Sequence, residues 1–247
     1  MSSPAASAAL TAASVTKRFG GLVAIENISF ALEEKEVLGL IGPNGSGKTT
    51  MMNLISGALK PSSGDIRLYG EPIAGIGASR VANKGVARTF QLVRMLPSMT
   101  ALENVTAGGV FGHARRWGQE LDDYAQALLQ RVGLPNAGGA TVSALTYIDQ
   151  KRVELARALA SDPKVLLLDE WLAGLNPTEL KIGIALIEQL RAEGCTIIIV
   201  EHVMHAIRSL CDRCIVMNSG IKIAEGTPGE VLADHAVIRA YLGDENA

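Results

Sequence analysis

Gly42-Pro43-Asn44-Gly45-Ser46-Gly47-Lys48-Thr49 satisfies the spacing G-x-x-x-x-G-K-[ST]. Val37-Leu38-Gly39-Leu40-Ile41 precedes it and reads as a buried strand, and the stretch from Thr49 to Ala58 reads as a helix. Between a strand and a helix, such glycines let backbone N–H groups wrap a polyphosphate, and the helix N-terminus adds a favourable dipole. Gly42, Asn44, Gly45, Ser46, Gly47 and Thr50 are accordingly candidates for the phosphate cradle. Lys48 is placed to neutralise β/γ-phosphate charge, and the Thr49 hydroxyl to ligate Mg²⁺.

Further along, Val165-Leu166-Leu167-Leu168-Asp169-Glu170 is a second buried strand, ending in two carboxylates. An acid there can hold a metal's water shell while its neighbour polarises an attacking water. Following the phosphate loop in this order, the pair predicts binding and hydrolysis of a nucleoside triphosphate with Mg²⁺. Thr196 to Val200 gives a third buried strand; Gln150–Ala160 and Glu179–Glu193 are helical candidates. Leu22 to Leu32 predicts an antiparallel strand pair, and Pro61-Ser62-Ser63-Gly64 a turn before a strand at Asp65–Tyr69. From 92 to 161 strand character is scarce and helices are expected at Leu102–Val105 and Leu121–Val132. The reading is an α/β core split by a helical insertion: a tail over 1–9, core over 10–91 and 162–247, and a helical subdomain over 92–161.

Composition narrows the function. Lys+Arg 23 against Asp+Glu 25 leaves a net charge of -2, without the basic excess of a nucleic-acid binder. Cys195, Cys211 and Cys214 make no disulfide framework, and Cys211-Asp-Arg-Cys214 has no second ligand pair for zinc, so all three read as core residues. MSSPAASAA lacks the basic start and apolar stretch of a signal peptide. Charged or glycine residues break each apolar run short of a membrane span, so crossing a membrane would fall to another chain.

Over residues 10–243 the sequence resembles the nucleotide-binding subunits of ABC transporters. Lys17-Arg18-Phe19-Gly20 is similar to the family's adenine-stacking segment, with Phe19 as the platform. Arg88-Thr89-Phe90-Gln91 resembles its glutamine loop, which implies that Gln91 contacts Mg²⁺ or the attacking water. Leu145-Thr146-Tyr147-Ile148-Asp149-Gln150 stands where the signature Leu-Ser-Gly-Gly-Gln would be, with Thr146 at the serine. Asp169 and Glu170 fall at the magnesium and general-base positions. Ala173-Gly174-Leu175-Asn176-Pro177 resembles the loop that crosses to a partner, and His202 the switch histidine that contacts the γ-phosphate. The resemblance implies a P-loop NTPase core of ABC type, with an antiparallel β subdomain and an inserted helical subdomain.

Ile223-Ala224-Glu225-Gly226-Thr227-Pro228 and Ala240-Tyr241-Leu242-Gly243 look like the ATPases of branched-chain amino acid importers, although urea or amide importers are similar. The implied partners are membrane permease subunits, a second ATPase subunit in a homo- or heterodimer and, indirectly, an extracytoplasmic substrate-binding protein. The implied location is cytoplasmic, peripheral on the inner face of the membrane. A permease-free soluble ATPase and a low-turnover regulatory subunit stay open as alternatives.

Three departures from the family pattern carry expectations. Ile148 replaces a glycine where backbone should approach phosphate, Asp149 replaces glutamine and adds negative charge, and Trp171 replaces the usual proline after the base. The altered signature is expected to weaken the ATP site held by the partner, so that a homodimer would have two impaired sites and a heterodimer one. Arg88, Arg94, His113, Arg115 and Arg116 form a basic group in or beside the insertion, read either as a docking face or as solvated surface.

Overall fold

The computed structural model describes residues 8–242. Strands β1 (Ala8–Phe19) and β2 (Leu22–Glu33) pair antiparallel from Ala8↔Glu33 to Phe19↔Leu22. Two expectations change here. Leu22–Leu32 is one strand whose mate lies upstream. Of the expected tail, residues 1–7 lie outside the described residues, whereas Ala8 and Ala9 belong to β1, and Ala9 is fully buried. The apolar residues of the upstream stretch are spaced irregularly because bulges interrupt its pairing, which hides its strand period.

β3 (Val37–Ile41) leads through the phosphate loop into α1 (Lys48–Ile55), three residues shorter than expected at its C-terminal end. β4 (Ser63–Leu68) and β5 (Glu71–Pro72) then complete a four-stranded antiparallel sheet in the order β2-β1-β4-β5. α2 (Ala78–Asn83) and β6 (Val86–Arg88) precede the helical stretch of α3 (Ala101–Phe111), α4 (Gly118–Arg131) and α5 (Tyr147–Ala160). Thr100 opens α3 with a capping box to Glu103, and Thr146 caps α5. β7 (Val165–Asp169), α6 (Pro177–Ala192), β8 (Ile197–Val200), α7 (Met204–Leu210), β9 (Arg213–Asn218), β10 (Ile221–Gly226), α8 (Pro228–Ala233) and α9 (His235–Leu242) follow.

The second sheet runs β10-β9-β3-β8-β7-β6, parallel except for the β10–β9 hairpin. Each residue of β3, β7 and β8 is buried, as expected for strands covered on both faces. Their side chains alternate between two cores. Val37, Ile41, Leu166, Leu168, Ile197 and Ile199 face the core shared with α3 to α7. Leu38, Leu40, Val165, Leu167, Ile198 and Val200 face the one shared with α1 and the antiparallel sheet. Cys211 and Cys214 are buried against Gly39, where an added Cβ would come within 3.0 Å of both sulfurs. Among the described residues no helix is long and apolar enough to cross a membrane.

Candidate active site

Parallel strands bring their C-terminal ends to one edge, and the chemistry collects there. The phosphate loop follows β3, Arg88 ends β6 with Gln91 three residues on, Asp169 ends β7, and His202 lies two residues beyond β8. Beside this edge is a cavity of about 550 Å³, within the usual range for a small-molecule site. Asn44, Gly45, Ser46, Gly47, Lys48, Thr49 and Thr50 line it from the loop and α1. Phe19 lines it with an exposed ring, next to the apolar Leu22, Val23 and Ala24, and Glu170 closes the opposite side. Lys17 Nζ stands 4.9 Å from the Phe19 ring centroid, which fixes one face of that ring.

Gly42 turns the loop out of β3 with φ +150, and a Cβ there would stand 2.0 Å from the Met217 carbonyl oxygen of β9. Gly47, at φ +104, opens α1 where a Cβ would meet the Ala24 carbonyl oxygen at 2.8 Å. Only glycine allows both the backbone angle and the close packing. Lys48 folds back so that Nζ donates to the carbonyls of Gly42 at 2.8 Å and Pro43 at 2.9 Å. Burial pulls its ammonium below the usual lysine range, against the opposing pull of Glu170 and Asp169.

Glu170 is held through both carboxylate oxygens. Gln91 Nε2 donates to Oε2 at 2.6 Å, and His202 Nε2 lies 3.0 Å from Oε1. Gln91, Glu170 and His202, drawn from three separate stretches of sequence, thus form one hydrogen-bonded unit, with Glu170 as its member on the cavity wall. The Glu170 backbone is left-handed at φ +49, a conformation costly for a residue with a side chain and found where surroundings over-determine it. Asp169, beside it, pairs with Arg88 NH2 at 2.5 Å, and Arg88 NH1 donates to Asn53 Oδ1 at 2.7 Å and Ser56 Oγ at 3.1 Å.

The basic group, read either as a docking face or as solvated surface, does not stay whole. Arg88 is buried under Asp169. Arg94 lies against the Phe90 ring at 4.4 Å, and Arg116 stacks on Tyr124 and approaches Glu120 and Asp162 at 4.0 and 3.9 Å. His113 Nδ1 meets the Asn83 carbonyl oxygen at 3.0 Å. Arg88, Arg94, Arg116 and the His113 ring each meet a partner brought close through folding, whereas Arg115 has none among the described residues.

Thr146 lies apart from the cavity wall. Its hydroxyl accepts from the Asp149 N–H at 3.3 Å and donates to Asp149 Oδ2 at 2.7 Å, while Arg152 NH1 reaches Asp149 Oδ1 at 3.2 Å. The added charge of Asp149 is thus partly offset within the first turn of α5. Ile148 also departs from expectation, since its side chain is buried instead of standing at the open helix end. Trp171 is fully buried, and its indole N–H donates to the Lys151 carbonyl at 3.2 Å.

Arg88, Glu154 and Glu201 are site neighbours whose roles the motifs did not carry. Glu154, on α5, accepts the Arg94 N–H at 3.0 Å and the Phe90 N–H at 3.5 Å, anchoring the segment around Gln91; burial raises its carboxyl above the usual range. The readable signal was a charged residue at a core-facing position of an apolar helix or strand end.

Known proteins resemble this chain over nearly its whole length. The family model described as "ABC transporter" matches residues 25–173. The chain belongs to the ABC transporter family. A second model, "Branched-chain amino acid ATP-binding cassette transporter", matches residues 222–247. The high-affinity branched-chain amino acid transport ATP-binding protein BraF of Pseudomonas aeruginosa is 40% identical over 249 residues, covering 95% of this chain and 98% of the relative. LivG of Salmonella typhimurium, with the same description, is 42% identical, covering 92% and 94%. The Nod factor export ATP-binding protein I of Burkholderia lata is 37% identical, covering 93% and 72%.

Among solved structures, an ATP-binding cassette of an ABC transporter in its ADP conformation superimposes with a TM-score of 0.88 at 29% identity, covering 96% and 99%. A dimeric cassette in a post-hydrolysis state with ADP and Pi gives 0.79 at 26% identity, covering 89% and 98%. This ABC chain is an ATPase with the family's mixed α/β cassette fold.

Proposed function

We propose that this ABC ATPase powers a membrane importer for branched-chain or similar amino acids. The observation that carries its chemistry is the unit of Gln91, Glu170 and His202, whose Glu170 lines a cavity built by the phosphate loop. In this reading Phe19 stacks the adenine, and Gly42 to Thr50 cradle the phosphates with Lys48 as counter-charge. Glu170 takes the proton of the attacking water, and His202 orients that carboxylate and meets the γ-phosphate. Thr49, Gln91 and Asp169 are hard oxygen donors of the kind Mg²⁺ prefers, and they would hold it; the ion supplies charge neutralisation at the phosphates.

The amino-acid reading rests on full-length similarity to BraF and LivG and on the C-terminal family match. A permease partner is supported by an apolar groove of about 340 Å³, walled by Ala82, Val86, Phe90, Ala107 and Gly108, with Phe111 largely exposed at its edge. The partner set is completed by a second ATPase subunit facing Thr146 and, indirectly, an extracytoplasmic substrate-binding protein, with this chain peripheral on the inner face of the membrane. The residue ranges 10–91 and 162–247 act as the ATP-binding core and 92–161 as the helical subdomain.

Because the Thr146 hydroxyl is spent on Asp149, the signature side is the weaker half, and a heterodimer fits better than a homodimer. Affinity purification from solubilised native membranes tests the whole reading. Recovery of a polytopic protein and a second ATPase, with faster ATP turnover in that complex than in the isolated chain, is expected. Recovery only in soluble complexes would favour a permease-free ATPase, and rapid turnover by the isolated chain would overturn the heterodimer.

A further inference from the structure

Glu201 lies between β8 and His202 and is 1% exposed, although burying a carboxylate is costly without good partners. Its Oε1 accepts the Leu172 N–H at 2.6 Å. Leu172 lies within the short turn that begins at Glu170, whose left-handed backbone needs support from its surroundings. That turn is gripped on three sides. The Glu170 N–H donates to the Val200 carbonyl at 2.8 Å, the Trp171 indole to Lys151, and the Leu172 N–H to Glu201. The Ala173 N–H closes the turn onto the Glu170 carbonyl at 3.0 Å. Glu201 is the one side-chain acceptor in this set, and it is covalently joined to His202, the residue that meets Glu170 from the other strand.

We infer that Glu201 is a positioning residue for hydrolysis, its carboxyl oxygen holding the Leu172 N–H and so keeping the Glu170 turn in register with His202. This rests on the reading of Glu170 as the base. The working part is a placed acceptor atom, not a charge. Burial pushes the Glu201 carboxyl up to about 7, with Lys151 as the nearby opposing cation, and a neutral carboxyl or an amide keeps an acceptor oxygen at the same reach. Glu201→Gln preserves that oxygen, Glu201→Asp withdraws it by one methylene while retaining the charge, and Glu201→Ala removes it.

The test is steady-state MgATP turnover of the full-length chain copurified with its native partners, with Glu170→Gln alongside. Glu201→Asp and Glu201→Ala are expected to lower kcat by roughly ten- to a hundredfold, the scale of an ångström of misplacement. KM and nucleotide affinity should stay within about threefold, and Glu201→Gln should restore kcat to within about threefold of the parent. If Glu201→Ala does not fold, the contrast of Asp with Gln carries the test alone. Parental kcat in Glu201→Asp, or a Gln variant as slow as Asp, overturns the inference while a slow Glu170→Gln leaves the base reading standing. Full turnover in Glu170→Gln would overturn both.

Discussion

Replacing Arg88 by Met removes the cation from a pair whose side chains are only 7% and 6% exposed. Breaking a buried pair from one side costs about 3–5 kcal/mol, because the remaining charge keeps its desolvation penalty. Asn53 Oδ1 and Ser56 Oγ lose a donor as well. Against this, Arg88 Nε is buried with no partner, so its removal relieves about 1 kcal/mol. The net expectation for Arg88→Met is a loss of about 2–4 kcal/mol. For a chain of this size that lowers Tm by about 4–16 °C. Thermal melting and urea midpoints of the parent, Arg88→Met, Asp169→Asn and the double variant give both the loss and the coupling. Since the double variant no longer leaves one buried charge alone, its loss should fall short of the sum by at least about 1 kcal/mol. A melt within 2 °C of the parent, or losses additive within about 0.5 kcal/mol, would refute the pairing as a stabilising element.

Glu170→Gln should bind MgATP as the parent does and lose about 10²–10⁴-fold in turnover; undiminished hydrolysis would move the base elsewhere. Phe19→Ala should weaken nucleotide affinity by about 1–3 kcal/mol in calorimetric titration, the scale of one lost base–aromatic stack, and unchanged affinity would return Phe19 to plain surface. Glu201 supplies a pH test. Its carboxyl is raised from 4.5 to about 7 in the fold, so the native state holds the proton more tightly than the unfolded chain. That contribution is present below pH 4.5 and is lost as pH rises through 7, by up to about 3 kcal/mol. Melts at pH 5 and pH 8 should therefore show the parent losing ground to Glu201→Gln at the higher pH, and a constant gap would contradict the shift.

The chemistry readable in the sequence was the chemistry carried by neighbours in sequence. The phosphate loop sits between a five-residue apolar strand and a helix, and Asp169-Glu170 ends another apolar strand, so spacing alone located both. The four-stranded sheet was half legible, since β2 shows its β-branched residues while β1 is bulged. Helix α3 read short because Gly108 and Gly109 dilute its pattern; they are there because a Cβ at 108 would meet the Arg157 carbonyl oxygen at 2.2 Å and one at 109 the Leu121 side chain at 2.4 Å. What stayed hidden depends on tertiary approach. Arg88 finds Asp169 across 81 residues, and Leu172 finds Glu201 across 29. No local pattern states that Ile148 turns inward or that Asp149 is shared by Thr146 and Arg152.

Trp171 can also be considered as a volume. Its ring edge and the Leu172 side chain pack against α6 at Gly183, where a Cβ would stand 2.6 Å from Leu172 Cδ2 and 3.3 Å from Trp171 Cζ3. The bulky residue and the missing methyl are two halves of one shape. Installing proline at 171 would empty an indole-sized space beneath the helix, at a cost on the order of 3 kcal/mol. Adding the methyl at 183 first would collide with the side chains already there. A return to the family's usual residue is therefore uphill in either single step, and the departure beside Glu170 is held in place by a glycine twelve residues downstream.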